Sequence, residues 1–313
     1  MRFTSSSFLL LLGTAAIFTA CEPALEPGPR VNFVGSSRFN PASRRITNDG
    51  DTIAVRLYAE AEDNAPLTRL LIQANYLPRA RPITYFTGYT ENDSLASRLV
   101  YLDTLIANAP EFAFQSVQPT RTTAGKETWE YTFTDANGNT GKRSFYLRLG
   151  RTDSAAAFHT YTVPLQDPGA FGRRSFLALR EGLALPSFSL RRLPENQQLI
   201  DLVYVPGSTT INPGLAVATD AGLKLPWVGR ATEIRPTPLA ASALANYSTT
   251  QALTNVYNLY QGTTFPTRTR TGALSKGQVI AFRTPDNRYG LLSVQDIITT
   301  GIRTLVLEVR MSR

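Results

Sequence analysis

From Val31 to about residue 151, apolar and polar side chains alternate in short runs separated by turn residues. In Thr52–Glu60, Ile53, Val55, Leu57 and Ala59 share one side, and Thr52, Ala54, Arg56 and Tyr58 share the other. That period of two belongs to a half-buried strand. Runs rich in Tyr, Phe, Val and Thr follow at 70–77, 99–106, 112–117, 128–133 and 144–149, with 31–34 in front. About seven short strands in about 120 residues predict an antiparallel sandwich. The strongest local signal is TWEYTFTDANGNTGKRSFYLRL. Trp129, Tyr131 and Phe133 alternate with Glu130, Thr132 and Thr134, and Phe145, Leu147 and Leu149 alternate with Ser144, Tyr146 and Arg148. The turn Asp135-Ala136-Asn137-Gly138-Asn139 between them supplies residues that tolerate positive φ.

Residues 151–157, RTDSAAA, break this pattern and predict a linker. Beyond it the reading is mixed. Strands are expected at 158–163, 175–179, 199–205 and 215–218. The best helical candidates are 236–247 and 248–261. Ser248 or Thr249 can cap the second, whose apolar face would comprise Ala252, Leu253, Val256, Leu259 and Tyr260, with Gly262 stopping it. A three-strand meander closes the chain at 277–282, Tyr289–Ile298 and 304–311, turning at Pro285-Asp286-Asn287 and Thr300-Gly301.

The first 20 residues read differently. Arg2 precedes an apolar stretch, 8–18, and Thr19-Ala20-Cys21 ends it with small residues. This resembles a bacterial lipoprotein signal, with Phe18 where that family prefers Leu. The resemblance implies cleavage before Cys21 and a diacylglyceryl group on its thiol. An ordinary cleaved signal and an uncleaved anchor are the alternatives, but the run is shorter than the roughly 20 residues that span a bilayer. Cys21 is the only cysteine, so an internal disulfide is excluded and lipidation gives the thiol a purpose. Several acyl chains, at about 0.8 kcal/mol per buried methylene, would hold the protein at a membrane. Residues 21–30, CEPALEPGPR, read as a tether. Its Glu22 and Glu26 resemble the acidic surface-export signals of Bacteroidetes lipoproteins.

Composition refines this picture. The 313 residues are 42% hydrophobic and carry a net charge of +8, enough for two packed cores. The positive charge is mostly arginine, with pairs at Arg44-Arg45, Arg173-Arg174 and Arg191-Arg192. These pairs are dispersed, whereas a nucleic-acid stripe would be clustered among aromatics. No nucleic-acid partner is expected. A solvated surface is the plain reading of the charge, and attraction to acidic glycan the sharper one.

Two further resemblances concern fold. The D-x-N-G-N turn before a final strand is similar to bacterial immunoglobulin-like and PKD-like domains, without the antibody-type Cys…Trp…Cys core. The segments RSFLAL at 174–179, LIDLVYVPG at 199–207, KGQVIAFRTPDNRYGLLSVQDI at 276–297 and LVLEVRM at 305–311 resemble a C-terminal region of Bacteroidetes lipoproteins that has no assigned activity. The expected fold is therefore mainly β: a signal at 1–20, a tether at 21–30, an antiparallel immunoglobulin-like β-sandwich at 31–151 and a β-rich α+β domain at 152–313.

Candidate chemistry is sparse. His159 is the only histidine, so a Ser-His-Asp triad would have to use it. No G-x-S-x-G elbow, zinc spacing, Walker loop or G-x-G-x-x-G occurs. Asp135, Asn137 and Asn139 have the 1, 3, 5 spacing of an EF-hand, but Thr140 and Tyr146 stand at its sixth and twelfth places, so a hairpin turn is expected and no metal. Carboxylate pairs at Glu60/Glu62, Glu91/Asp93 and Glu127/Glu130, all expected on solvated faces, would be the minimum for a glycosidase. Aromatic platforms for sugar rings are expected at Tyr85, Phe86 and Tyr89, and at Trp227. No catalytic residue and no cofactor is expected. The expected function is a lipid-anchored outer-membrane or cell-surface protein that binds a glycan, cell-wall or protein ligand without catalysis. An envelope structural protein and a carboxylate-dependent hydrolase are the alternatives.

The mature amino-terminal peptide from native membranes should have the mass of an acylated Cys21, and Cys21→Ser should release the protein from the membrane fraction. An unmodified cysteine in that peptide would end the anchor argument.

Overall fold

The computed structural model describes residues 28–39, 41–46, 52–62, 64–78, 97–121, 125–149 and 158–312, and the chain is mainly β. Its first half comprises β1 (Arg30–Phe33), β2 (Arg44–Ile46), β3 (Thr52–Glu60), β4 (Leu67–Pro78), β5 (Ser97–Ala109), β6 (Glu111–Pro119), β7 (Gly125–Asp135) and β8 (Thr140–Leu149). These form two sheets, ordered β1-β3-β6 and β2-β8-β7-β4-β5. Every pairing is antiparallel except β2 with β8. The sheets face each other as a sandwich, since the alternating residues of both enter one core. Ile53, Val55, Leu57 and Ala59 meet Trp129, Tyr131, Phe133, Phe145 and Leu147 there. Phe33 stands edge-on to Tyr131, with ring centroids 5.4 Å apart.

Residues 28 and 29, expected in the tether, pack against the β7–β8 hairpin. A Cβ on Gly141 would lie 1.8 Å from the Pro29 carbonyl oxygen, so only glycine lets the two backbones approach this closely. The short β2 carries no periodic signal, because Ile46 is its only buried side chain.

The second half comprises β9 (Phe158–Gln166), β10 (Arg174–Ala178), β11 (Leu183–Pro186), α1 (Pro194–Gln197), β12 (Leu202–Val205), β13 (Gly214–Val217), β14 (Glu233–Ala240), α2 (Thr250–Leu259), β15 (Gln278–Arg283), β16 (Tyr289–Ile298) and β17 (Thr304–Ser312). One sheet is ordered β11-β10-β12-β13 and the other β14-β15-β16-β17-β9. The meander strands fall where expected. Segment 236–247 does not form a helix: Glu233–Ala240 is a strand and Ala241–Asn246 a 3₁₀ turn. Pro236 and Pro238 lack the N–H groups a helix interior needs, and β14 is an edge strand, where proline is tolerated. Helix α2 forms as expected, with the Thr249 hydroxyl accepting from the Ala252 N–H at 3.1 Å. Its buried face is Leu253, Val256 and Tyr257, whereas Leu259 is 72% exposed. The helix docks through that face on Val279, Ala281 and Leu291 of the sheet beneath.

The four-stranded sheet joins everything. Leu183, Leu185 and Val203 on one face, with Ala178 and the adjoining Ile200 and Ala218, belong to the same apolar cluster as the sandwich interior. Leu177, Ala184, Leu202, Tyr204, Leu215 and Val217 on the other face belong to a second cluster, shared with Tyr161, Ile280, Phe282, Leu292, Leu305 and Leu307. Strict alternation along each strand thus divides one sheet between two cores. Strands buried on both faces read as unbroken apolar runs, as LVYV and GLAV do here.

Because that sheet is common to both cores, Leu202→Ala should destabilise the sandwich it does not touch. The expected loss is about 2–5 kcal/mol, as for buried leucines generally. In a Trp227→Phe background Trp129 reports the sandwich alone. Its denaturation midpoint should fall with Leu202→Ala, and an unchanged midpoint would show that the two cores unfold independently.

Candidate functional site

Strands β5 and β6 are the terminal strands of their two sheets, so the sandwich is open between them. The second half closes this side. The Ser189 hydroxyl donates to the Tyr101 carbonyl at 2.6 Å. The Asn196 amide, in α1, donates to the Val100 carbonyl at 2.7 Å and to the Ser189 carbonyl at 2.6 Å. Backbone acceptors of β5 are thereby satisfied by side chains instead of by a neighbouring strand. Ser189 and Asn196 are themselves buried.

Closure is incomplete, and a cleft of about 360 Å³ remains beside it. Tyr101 and Leu102 of β5 form one wall, Phe114, Gln115, Ser116 and Val117 of β6 another, and Phe171, Gly172 and Phe188 the third. An aromatic series leads into it from the core. Trp129 lies 5.4 Å from Tyr101, Tyr101 lies 5.3 Å from Phe188, and Phe188 lies 5.3 Å from Phe171, between ring centroids. Trp129 is fully buried, whereas Phe171 is 61% exposed. The Arg191 guanidinium lies 6.0 Å from the Phe171 ring centre, within cation–π range. The Ser116 hydroxyl is buried and makes no hydrogen bond among the described residues. Burial raises the Tyr101 phenol well above its ordinary pKa, and the nearby Arg174 opposes this. The volume and mixed lining are those of a small-molecule site.

Cys21, Tyr85, Phe86 and Tyr89 lie outside the described residues, as do Glu91 and Asp93. Trp227 is half-buried. Its ring lies 5.9 Å from that of Phe176, and it packs against the core that the four-stranded sheet shares with the sandwich.

The carboxylates fall into different settings. Glu127 is fully buried, which corrects its expected place on a solvated face. It accepts from Arg121 at 3.1 Å and from the Trp129 indole at 3.2 Å. Burial raises its pKa, and Arg121 and Trp129 oppose that shift. Arg121 also lies over the Tyr76 ring at 4.6 Å. Glu130 is three residues further along the same strand, on its opposite face, where Gln73 donates to it at 2.8 Å. The two carboxylates therefore do not converge on one substrate. Asp135 accepts from the Asn137 and Asn139 backbone N–H groups, both at 2.9 Å, and from the Asn139 amide at 3.1 Å. Its oxygens hold the hairpin turn together, and Gly138 takes the left-handed position at φ 85°.

A second polar cluster ties the four-stranded sheet to the β15–β16 turn. The buried Asp201 accepts from the Leu179 N–H at 2.8 Å, the Arg230 Nε at 2.8 Å and the Thr232 hydroxyl at 2.6 Å. Arg230 extends the bridge to Asp286, which Arg180 also approaches at 3.7 Å. Burial pushes the Asp201 carboxyl up to about 6 despite these donors. The sequence marks neither this cluster nor the cleft, because each is assembled from distant segments.

No protein-family model matches the chain, and no curated protein matches it. Several solved structures give likenesses, of which two are these. A DUF4466 family protein from Parabacteroides merdae aligns over 92% of this chain and 100% of its own, at 11% identity and a TM-score of 0.37. Spo0M, a sporulation control protein from Bacillus subtilis, aligns over 63% of this chain and 81% of its own, at 8% identity and a TM-score of 0.25. At these values neither likeness bears on fold or function.

The raised Asp201 pKa means the folded state holds this proton more tightly than the unfolded chain does. Its contribution to stability is complete below the ordinary aspartate value of 3.8 and is lost as pH rises through about 6. Asp201→Asn carries no such proton, so urea midpoints measured at about pH 4 and about pH 7 should lie closer together than in the parent. An identical pH dependence in the variant would assign the effect elsewhere. Glu127→Ala, which strands a buried arginine, should cost about 3–5 kcal/mol.

Proposed function

We propose that this chain is a lipid-anchored envelope protein of a Bacteroidetes-type bacterium, and that its folded part is a non-catalytic binding module. The observation that carries the binding part is the aromatic cleft between β5, β6 and the 171–188 region. A fold that already satisfies the β5 edge by side-chain hydrogen bonds has no packing need for a 61% exposed phenylalanine beside it. Apolar surface of this kind, rimmed by polar groups, belongs to recognition sites. The anchor rests on the residues around Cys21.

An immunoglobulin-like assignment of the sandwich has support in its strand order. The opening segment is divided: β1 pairs with β3 in one sheet, and β2 pairs in parallel with the last strand, β8, in the other. Strands β8, β7, β4 and β5 then follow in the sequence order expected of the larger sheet in that architecture. The hydrolase alternative has less support, because Glu127 and Glu130 occupy opposite faces of one strand.

A photo-crosslinking residue in place of Phe171, expressed in cells, should yield an adduct of discrete mass. The same residue in place of Leu259, 72% exposed on α2, should not. Absence of an adduct at 171 would favour an envelope structural protein with no soluble ligand.

A further inference from the structure

Two arginine pairs lie in sequence beside segments that line the cleft, and the Arg191 guanidinium stands 6.0 Å from the Phe171 ring centre there. Arg173-Arg174 directly follows Phe171-Gly172, and Arg191-Arg192 closely follows Phe188; Phe171, Gly172 and Phe188 all line the cleft. None of the four arginines forms an ion pair with a carboxylate among the described residues. Arg174 is 9% exposed, burial lowers its pKa, and it lies near Tyr101, a lining residue whose phenol is neutral. A buried cation without an acid close by is costly unless something compensates it. Between residues 168 and 195 the acidic residues are Glu181 and Glu195, against five arginines. Arg180 reaches Asp286, which leaves the four arginines of the two pairs without a carboxylate partner among the described residues.

The lining adds a second requirement. Tyr101, Phe114, Phe171 and Phe188 present ring faces and edges to the same space. Such walls favour another flat ring through offset or edge-to-face contact. The guanidinium fork of arginine matches a planar carboxylate.

We propose that the cleft binds a small aromatic carboxylate, with its ring against Phe171, Phe188 and Phe114 and its acid group toward Arg191 and Arg174. This rests on the reading of the cleft as a binding site and gives that site a ligand class. The placement also accounts for Arg191 over the Phe171 ring, since one side chain there serves both the aromatic and the anionic part of a ligand.

The test uses the folded mature chain and 2-naphthoate as the probe, followed by calorimetry. Binding should be saturable. It should weaken at least tenfold in Phe171→Ala and in Arg191→Gln, both substitutions of exposed side chains whose folding a thermal melt would verify. The neutral analogue 2-naphthylmethanol, with the same ring system and no acid, should bind at least tenfold more weakly than the acid. Equal binding of acid and alcohol would overturn the ligand class while leaving a binding cleft. Absence of saturable naphthoate binding, or binding unchanged by Phe171→Ala, would overturn the proposal. If the adduct at position 171 persists in cells in that case, the cleft remains a binding site for another chemistry. If the adduct is missing too, both readings fall.

Discussion

The four-stranded sheet β11-β10-β12-β13 has no solvent face, and the rest of the molecule is arranged around that fact. A sheet buried on both sides needs an apolar residue at nearly every position, and its polar backbone must be satisfied entirely within the sheet and its ends. Leu202 and Tyr204 point into one core while Val203 between them points into the other. A one-residue slip of β12 would exchange the contents of the two cores, so register is fixed from both sides at once. Neither half of the chain can therefore close its core alone. The sandwich borrows its last wall from the sheet, and the sheet borrows one of its covers from the sandwich.

Buried polar groups sit where this arrangement turns corners. Asp201 directly precedes β12, where the chain leaves α1 and enters the sheet, and it gathers one backbone donor, one guanidinium and one hydroxyl. Its raised pKa shows desolvation outweighing those donors. Glu127 does the corresponding job in the sandwich, holding Arg121 and Trp129 at the beginning of β7. Asp201 is satisfied by donors from distant segments and Glu127 by Arg121 and Trp129 close by in sequence, and both fix positions that apolar packing, being non-directional, would leave looser.

The strands of the sandwich were legible in the sequence because each has one buried face. Thr52–Glu60 alternates, and its burial alternates with it, residue by residue. Trp129, Tyr131 and Phe133 announced the core for the same reason. Helix α2 was legible through its Thr249 cap, although its face was read to include the exposed Leu259 and to omit the buried Tyr257. The strands β11 and β14 were not legible. Leu183–Pro186 is four buried residues with no polar partner in the period, and Glu233–Ala240 carries prolines that suit an edge but carry no strand pattern. The junction was less legible still. Nothing in the local sequence of Ser189 or Asn196 indicates that each will close the edge of a strand roughly ninety residues away.

The position of the cleft follows from the same junction. Two sheets that twist cannot be sealed along their whole open side by one short turn and one short helix. The seal holds at Val100 and Tyr101, where the hydrogen bonds of Ser189 and Asn196 are made, and it fails where β6 continues past them toward Val117. A gap is thus a geometric consequence of closing the sandwich with a separate layer. What the geometry does not require is its lining. A gap left only by imperfect sealing would be expected to carry small or polar residues that water can cover. Phe171, Phe188 and Phe114 stand there instead, near Arg191 and Arg174, which pair with no carboxylate among the described residues. Apolar rings held open to water and uncompensated cations both raise the free energy of the isolated protein, and a single aromatic anion would relieve both.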